Sequence, residues 1–359
     1  MPAADNGVFD LLKKLTEAPG VSGREERIRE LLLAETDGMW DETRVDSMGN
    51  LICLKRARVK PKAAKKGGDA GAQPQKVMLA CHMDEIGFYV RYIDDKGHLR
   101  LNAAGGFDTR NLFARRVLVQ GRKDIVGVMN PGGRPIHISS EEDRKKIPEV
   151  KDFYVDLFMD KAQVEKLVQI GDPVTLLQTT EMLGDAITGK SMDNRVALWT
   201  GINAIRKAGN NLKYDTYFVA CVQEEVGLRG ATTAAYGINP DIGIAIDVTL
   251  ACDTPGVDKE EQVTRLGDGV AIKWMDSSTI SHHGLYEEFI AVAKAKKIKY
   301  QLEILPRGGT DAGALQRARA GSKAITLSIP TRYIHTVTES INKNDALGAV
   351  NLLAAWLGG

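Results

Sequence analysis

Between Phe218 and Ala231 the chain reads FVACVQEEVGLRGA: an apolar run stops at two adjacent carboxylates, Glu224 and Glu225, and a glycine-punctuated helix start, Gly227 to Gly230, follows at once. A buried strand over 216–222 that hands over to a helix within a few residues is the building unit of an open α/β sheet. It leaves both acids at the strand's carboxyl end, where such sheets keep their ligand sites. Side chains alternate along extended backbone, so the two glutamates face different ways and can hold different tasks, one gripping a cation and one reaching a water. Alone, the pair reads more readily as a solvated strand end, and the rest of the chain has to decide.

The unit recurs. Helix and strand alternate through Asp193–Lys207, Asp215–Cys221, Leu228–Ala235 and Ile242–Asp247, the rhythm of a sheet covered by helices on both faces. Further strands are predicted at 270–274, 301–305 and 324–328, with helices at 285–297, 311–318 and 343–357. Upstream, Phe9, Leu11, Leu12 and Leu15 mark one helical face that ends at Ala18-Pro19-Gly20, and Ser22 with Glu25 predicts a capping box for a helix over 24–35. Strands are expected at 43–46, 50–55 and 77–81. Between Gly87 and Leu183 the character changes to short alternating segments, FYVRYID, HLRLN, RRVLVQ, DIVGVM, DFYVDLF and DPVTLL, with one short helix near Gln163 to Val168. The expected organisation is therefore a catalytic domain over 1–86 and 185–359, interrupted by a small β domain over 87–184. The stretch 56–76, containing KPKAAKKGGDAGAQPQK, has almost nothing to bury and reads as a mobile hairpin tip without aromatics for base stacking.

A chain of 359 residues has room for two domains or one very large one. With 48 basic against 47 acidic residues the net charge is +1, so no global field favours nucleic acid or an acidic membrane surface. No apolar run approaches the roughly 18 residues that would span a bilayer, and no signal peptide is apparent. Cys53, Cys81, Cys221 and Cys252 are scattered without CxxC spacing and read as buried thiols. A reduced, cytoplasmic setting is expected.

Polar or charged residues stand where apolar runs end at five places: His82 and Asp84 after VMLAC, Asp193 before RVALWTGI, Glu224 and Glu225 after FVACVQ, Asp247 after IGIAI, and His335 after TLSIPTRYI. All can converge on one edge of one sheet. Crowded carboxylates raise one another's pKa, and divalent cations relieve the crowding. Nitrogen and oxygen donors without cysteine fit zinc, and also cobalt or manganese. His98, His137, His282 and His283 read as structural or exposed, and Glu141, Glu142 and Asp143 as a solvated loop run. Gly308 to Gly313 reads as a helix start capped by Thr310.

The ordered set APGVSGREE, DSMGNLI, ACHMDEIG, GKSMDNRVALW, VQEEVGLRGA, the AIDVT strand end, PRGGTDAGALQ and IPTRYIHT resembles, nearly end to end, the motifs of the tetrahedral (TET) aminopeptidases. These are also called deblocking or glutamyl aminopeptidases, two-metal peptidases some of whose members carry an endoglucanase label. The resemblance implies a mixed α/β sheet sandwiched by helices, with an inserted β-barrel-like domain. It implies two divalent metal ions per subunit, Zn2+ foremost with Co2+ or Mn2+ as alternatives. His82, Asp193 and Asp247 would hold one ion, Asp193, Glu225 and His335 the other, with Asp193 bridging. Glu224 would be the general base, Asp84 would accept a hydrogen bond from the second ring nitrogen of His82, and Gly309, Thr310 and Asp311 would line the substrate pocket. The partners implied are peptide substrates, trimmed from the amino terminus with a neutral or acidic preference, and further copies of the chain in dimers and twelve-subunit shells. Two alternatives stand beside this reading: a related two-metal carboxypeptidase or deacylase, and a glycosidase. The position of the β insertion, between His82 and Asp193, favours the aminopeptidase, and glycoside hydrolysis needs two carboxyls and no histidine pair.

Overall fold

The computed structural model describes residues 7–59 and 73–359, so most of the basic stretch 56–76 lies outside the described residues. Two helices, α1 (Asp10–Glu17) and α2 (Glu26–Glu35), precede strands β1 (Glu42–Val45), β2 (Leu51–Lys55) and β3 (Lys76–His82). Strands β4 (Gly87–Ile93), β5 (Leu99–Ala104), β6 (Arg115–Gln120), β7 (Asp124–Pro131), β8 (Phe153–Asp156) and β9 (Pro173–Leu176) follow, with short helices α3 (Glu141–Lys145) and α4 (Lys161–Val164) on either side of β8. These six strands close into a barrel, ordered β4-β5-β8-β7-β6-β9. Its period-two patterning points alternate residues inward: Phe88 and Val90, Leu99 and Leu101, Val117 and Val119, and Phe153 and Val155 share one buried cluster.

The chain then returns through β10 (Glu181–Leu183), β11 (Ala186–Gly189), α5 (Met192–Ala208), β12 (Asp215–Cys221), α6 (Arg229–Ile238), β13 (Ile242–Leu250) and β14 (Val270–Met275). It ends with α7 (His283–Ala295), β15 (Tyr300–Ile304), α8 (Ala312–Gln316), β16 (Lys323–Arg332), β17 (Glu339–Asn342) and α9 (Lys343–Gly358). Strands outside the barrel join in one mixed sheet, ordered β1-β2-β12-β3-β13-β16-β17-β11-β10, with β14 paired to β16 and β15 to β14. The central four, β12, β3, β13 and β16, are parallel, as crossovers through helices require. Such strands are buried on both faces. Leu79 and Cys81 pack with Leu12, Trp199 and Leu353 of α1, α5 and α9, while Met78 and Ala80 pack with Ala231 of α6 and Leu315 of α8.

Three local expectations are corrected. Ser22 does not cap α2, which starts at Glu26 after Glu25 without a side-chain cap. Glu25 takes the N-cap position, and the Ser22 hydroxyl donates to Asp84 Oδ2 at 2.6 Å, a charge-assisted bond. The acidic run 141–143 is no loop: Ser140 and Asp143 cap each other reciprocally and start α3. Finally, β10 lies within the segment expected to be the inserted domain yet pairs with β11 in the large sheet, so the barrel closes at β9. All three β10 residues are exposed, which leaves no alternation to read.

A buried guanidinium ties the first helix to α5. Arg195 Nη1 donates to the Leu15 and Ala18 carbonyls at 2.6 and 2.9 Å, satisfying groups that a helix end leaves unpaired. Among the described residues no helix is long and apolar enough to cross a membrane.

Candidate metal centre

Register sets the site. Cys221 lies opposite His82, and Ser328 opposite Asp247, so the parallel strands reach their carboxyl ends together. His82 is the last residue of β3, Asp247 lies in β13, Glu224 and Glu225 lie just past β12, and Asp193 stands in the irregular first turn of α5. His335 comes from the loop between β16 and β17 and has φ +64°, a left-handed conformation that non-glycine residues adopt at a cost of about 1–2 kcal/mol. The tight exit from β12 depends on Gly230, where a Cβ would come within 2.4 Å of the Val222 carbonyl and 2.3 Å of Asn50 Oδ1.

The five expected ligands and Glu224 meet. His82 Nε2 is 3.1 Å from Asp193 Oδ1 and 3.8 Å from both Glu224 Oε2 and Asp247 Oδ1. His335 Nε2 is 3.5 Å from Asp193 Oδ2 and 3.4 Å from Glu225 Oε2. The two oxygens of Asp193 are thus divided between the two imidazoles. Donor atoms of His82, Asp193 and Glu225 lie within 4.8 Å of one another, as do those of His82, Glu224 and Asp247. These trios cross the two expected from sequence, because all six side chains form one continuous cluster.

Both the charge and the spacing of the donor set suit divalent cations. Burial pushes the Glu224, Glu225 and Asp247 carboxyls up, and neighbouring acids push further. Burial acts in the same sense on Asp193, but hydrogen bonds from His335 and His82 outweigh it and hold its carboxyl well below the usual range. Burial opposes the charging of His82, yet Glu224, Asp193 and Asp84 hold that imidazole far above its usual range. His335 is likewise raised to about 11 against the burial effect by Asp193 and Glu225. Protons are here compensating a surplus of buried anions, the task a divalent cation performs better. Ligand atoms about 2.0–2.1 Å from a tetrahedral zinc stand about 3.4 Å apart, and the contacts above bracket that spacing. The residues fit the ions.

Asp84 does more than orient His82. His82 Nδ1 lies 3.2 Å from the Asp84 backbone carbonyl and 3.5 Å from Oδ1. The Asp84 carboxylate also accepts the Glu224 and Glu225 backbone N–H groups, at 3.0 and 3.2 Å, so it fixes the loop carrying both glutamates. Glu25 supports the same loop, its Oε1 accepting from the Gly23 and Gln223 N–H groups at 2.6 and 3.1 Å. Burial raises the Glu25 carboxyl to about 7. Because the folded value is raised, the folded chain keeps a proton that the unfolded chain releases. That contribution is complete below about pH 4.5 and is lost as pH rises through about 7. Glu25→Gln retains the accepting oxygen and removes the titration, so over that window wild type is expected to lose about 3 kcal/mol relative to the variant. Denaturant midpoints measured across the window check this, and a constant difference would exclude it.

Of the expected pocket residues, Gly309 is exposed, whereas Thr310 and Asp311 are each 2% exposed. Thr310 Oγ1 accepts from the Ala312 N–H at 3.3 Å, as a helix-start residue does, and pairs with Thr326 Oγ1 at 2.9 Å. The Asp311 carboxyl is raised to about 6 by burial and by Asp84, with His82 opposing. The other histidines stay out: His98 pairs with Asp94 at 3.0 Å, His282 caps α7, and His137 and His283 are exposed.

Sequence reasoning missed two groups. Glu339, 2% exposed, accepts from the Asp193 N–H at 2.9 Å and the His335 N–H at 2.8 Å. Glu85 takes Lys190 Nζ at 2.6 Å, Ser191 Oγ at 2.7 Å and the Gly20 N–H at 2.9 Å, with Arg195 Nη2 at 3.6 Å. The only signal for Glu339 was its place four residues after His335.

Residues 63–352 match the M42 glutamyl aminopeptidase family. The lysyl aminopeptidase of Pyrococcus furiosus is 34% identical over 361 residues, covering 97% of this chain and 96% of that protein. The solved aminopeptidase APDkam598 from the archaeon Desulfurococcus kamchatkensis is 36% identical with a TM-score of 0.89, covering 98% of this chain and 95% of that one. The TET1 peptidase of Pyrococcus horikoshii, which can assemble into a tetrahedron or a large octahedral shell, is 30% identical with a TM-score of 0.82, covering 98% and 99%. The sheet, the barrel and the convergent acids and imidazoles all fall within these matches, and the chain belongs to the M42 glutamyl aminopeptidases, a metal-dependent family of peptide hydrolases.

Proposed function

We propose that this aminopeptidase removes amino-terminal residues from peptides at a centre for two divalent cations, Zn2+ foremost with Co2+ or Mn2+ able to substitute. The observation that carries the reading is Asp193, whose two oxygens face imidazoles from different ends of the chain, His82 at 3.1 Å and His335 at 3.5 Å. His82, Asp193 and Asp247 would hold one ion and Asp193, Glu225 and His335 the other. Such ions lower the pKa of water toward neutrality and polarise a carbonyl. Glu224 takes the proton from the attacking water and returns it to the nitrogen of the leaving amine. Asp84 holds the Glu224 backbone in place for that transfer. Gly309 lines the substrate pocket, and Thr310 and Asp311 support its wall from beneath.

The chain works in the cytoplasm as a homo-oligomer, a dimer-based dodecamer with contacts built by the inserted barrel domain, β4 to β9. Exposed Ile136, Ile138 and Phe158, at 66, 67 and 77% exposure, give that domain apolar surface to cover. The preferred amino-terminal residue is neutral or acidic. Hydrolysis of Leu, Glu, Lys and Gly nitroanilides, before and after EDTA and after adding back zinc or cobalt, tests these statements. Activity is expected to vanish with chelation and return with metal. Indifference to EDTA would favour the glycosidase reading, and a lead for lysine would contradict the stated preference.

A further inference from the structure

Neither Asp193 nor His335 sits in regular backbone. Asp193 (φ −75°, ψ 102°) and Asn194 (φ −124°, ψ 37°) break the first turn of α5, Ser191 before them has φ +59°, and His335 has φ +64°. Their N–H groups consequently have no helix or ladder partner, and a buried N–H without one is costly. Both bonds end on one side chain. Glu339, the first residue of β17, presents Oε2 to Asp193 and Oε1 to His335, and its strand is anchored through Ser340 and Ile341 to β11 and β16. A carboxylate is the one side chain of this length that offers two acceptors and no donor.

We infer that Glu339 is a positioning residue, which fixes the separation of Asp193 and His335 and so keeps the half of the centre containing His335 competent for its cation. The inference rests on the two-cation reading. The other half shares Asp193 but takes its remaining ligands, His82 and Asp247, from β3 and β13, which touch Glu339 nowhere among the contacts above, so it depends on Glu339 less. In Glu339→Gln one acceptor becomes an NH2 that faces a backbone N–H, so one of the two bonds becomes a donor-to-donor clash.

The test is a cobalt titration of metal-free full-length protein, followed by visible absorption and by equilibrium dialysis, with no activity assay. Wild type is expected to take two ions per chain. Glu339→Gln is expected to take the ion of the His335 half about 10–100-fold more weakly and the other ion with a clearly smaller loss. Two ions bound as in wild type would overturn the inference and leave the two-cation reading standing. Equal weakening of both ions in a variant with a wild-type circular dichroism spectrum would overturn it as well, pointing to a general packing role. Fewer than two ions in wild type would overturn the two-cation reading and this inference with it. Should the glutamine variant not fold, Glu339→Asp carries the same decision: one methylene shorter, it reaches only one of the two amides, and retention of both ions at wild-type affinity would be the negative result.

Discussion

Glu224→Gln is expected to lower turnover by about 10²–10⁴-fold while metal content and substrate binding stay as in wild type. The reason lies in its place at the site. Glu224 Oε2 is 3.8 Å from His82 Nε2, next to the ligand cluster yet outside the five expected ligands, and its backbone is pinned by Asp84 at 3.0 Å. The amide keeps the shape and the pinned backbone but cannot accept a proton from water. An effect confined to turnover at unchanged KM would mark an interaction made only in the transition state. If the variant instead loses metal, Glu224 is a ligand and the base must be sought elsewhere. Retained turnover would remove it from the chemistry altogether.

Asp193→Asn should be more severe, because on the proposed ligand set Asp193 would serve both halves of the centre. Activity is expected to fall by more than about 10⁴-fold, the sum of losing the paired ions and the charge between them. A second consequence is independent of catalysis. A cation that binds the folded chain alone stabilises it by about 2.7 kcal/mol at a hundred times its dissociation constant. Wild type should therefore gain thermal stability when zinc is added to the metal-free protein, and Asp193→Asn should gain little. An equal gain in both proteins would show that the bridging assignment is wrong, whatever the activity does.

Much of this centre is legible in the sequence because strand ends are. An apolar run that stops at a histidine or an acid announces its own geometry, and β3, β12 and β13 lie where VMLAC, FVACVQ and IGIAI place them. Register then does the rest, since parallel strands of similar length finish side by side. What escapes is everything defined by a partner far along the chain. Glu339 meets Asp193 through a backbone N–H that no residue type encodes, and the Glu85 cluster draws on Gly20, Lys190 and Arg195. Ser22 shows the same limit from the other side. Its local pattern promises a helix cap, but Asp84 claims its hydroxyl once the sheet is built. The short strands β10 and β17 have no alternating pattern long enough to betray them.

The groups that assemble at the sheet edge run from His82 to His335 in a polypeptide of 359 residues. A ribosome making this protein therefore releases nearly the whole chain before the last imidazole can reach its place. On the proposed ligand set, the centre would be incomplete until then.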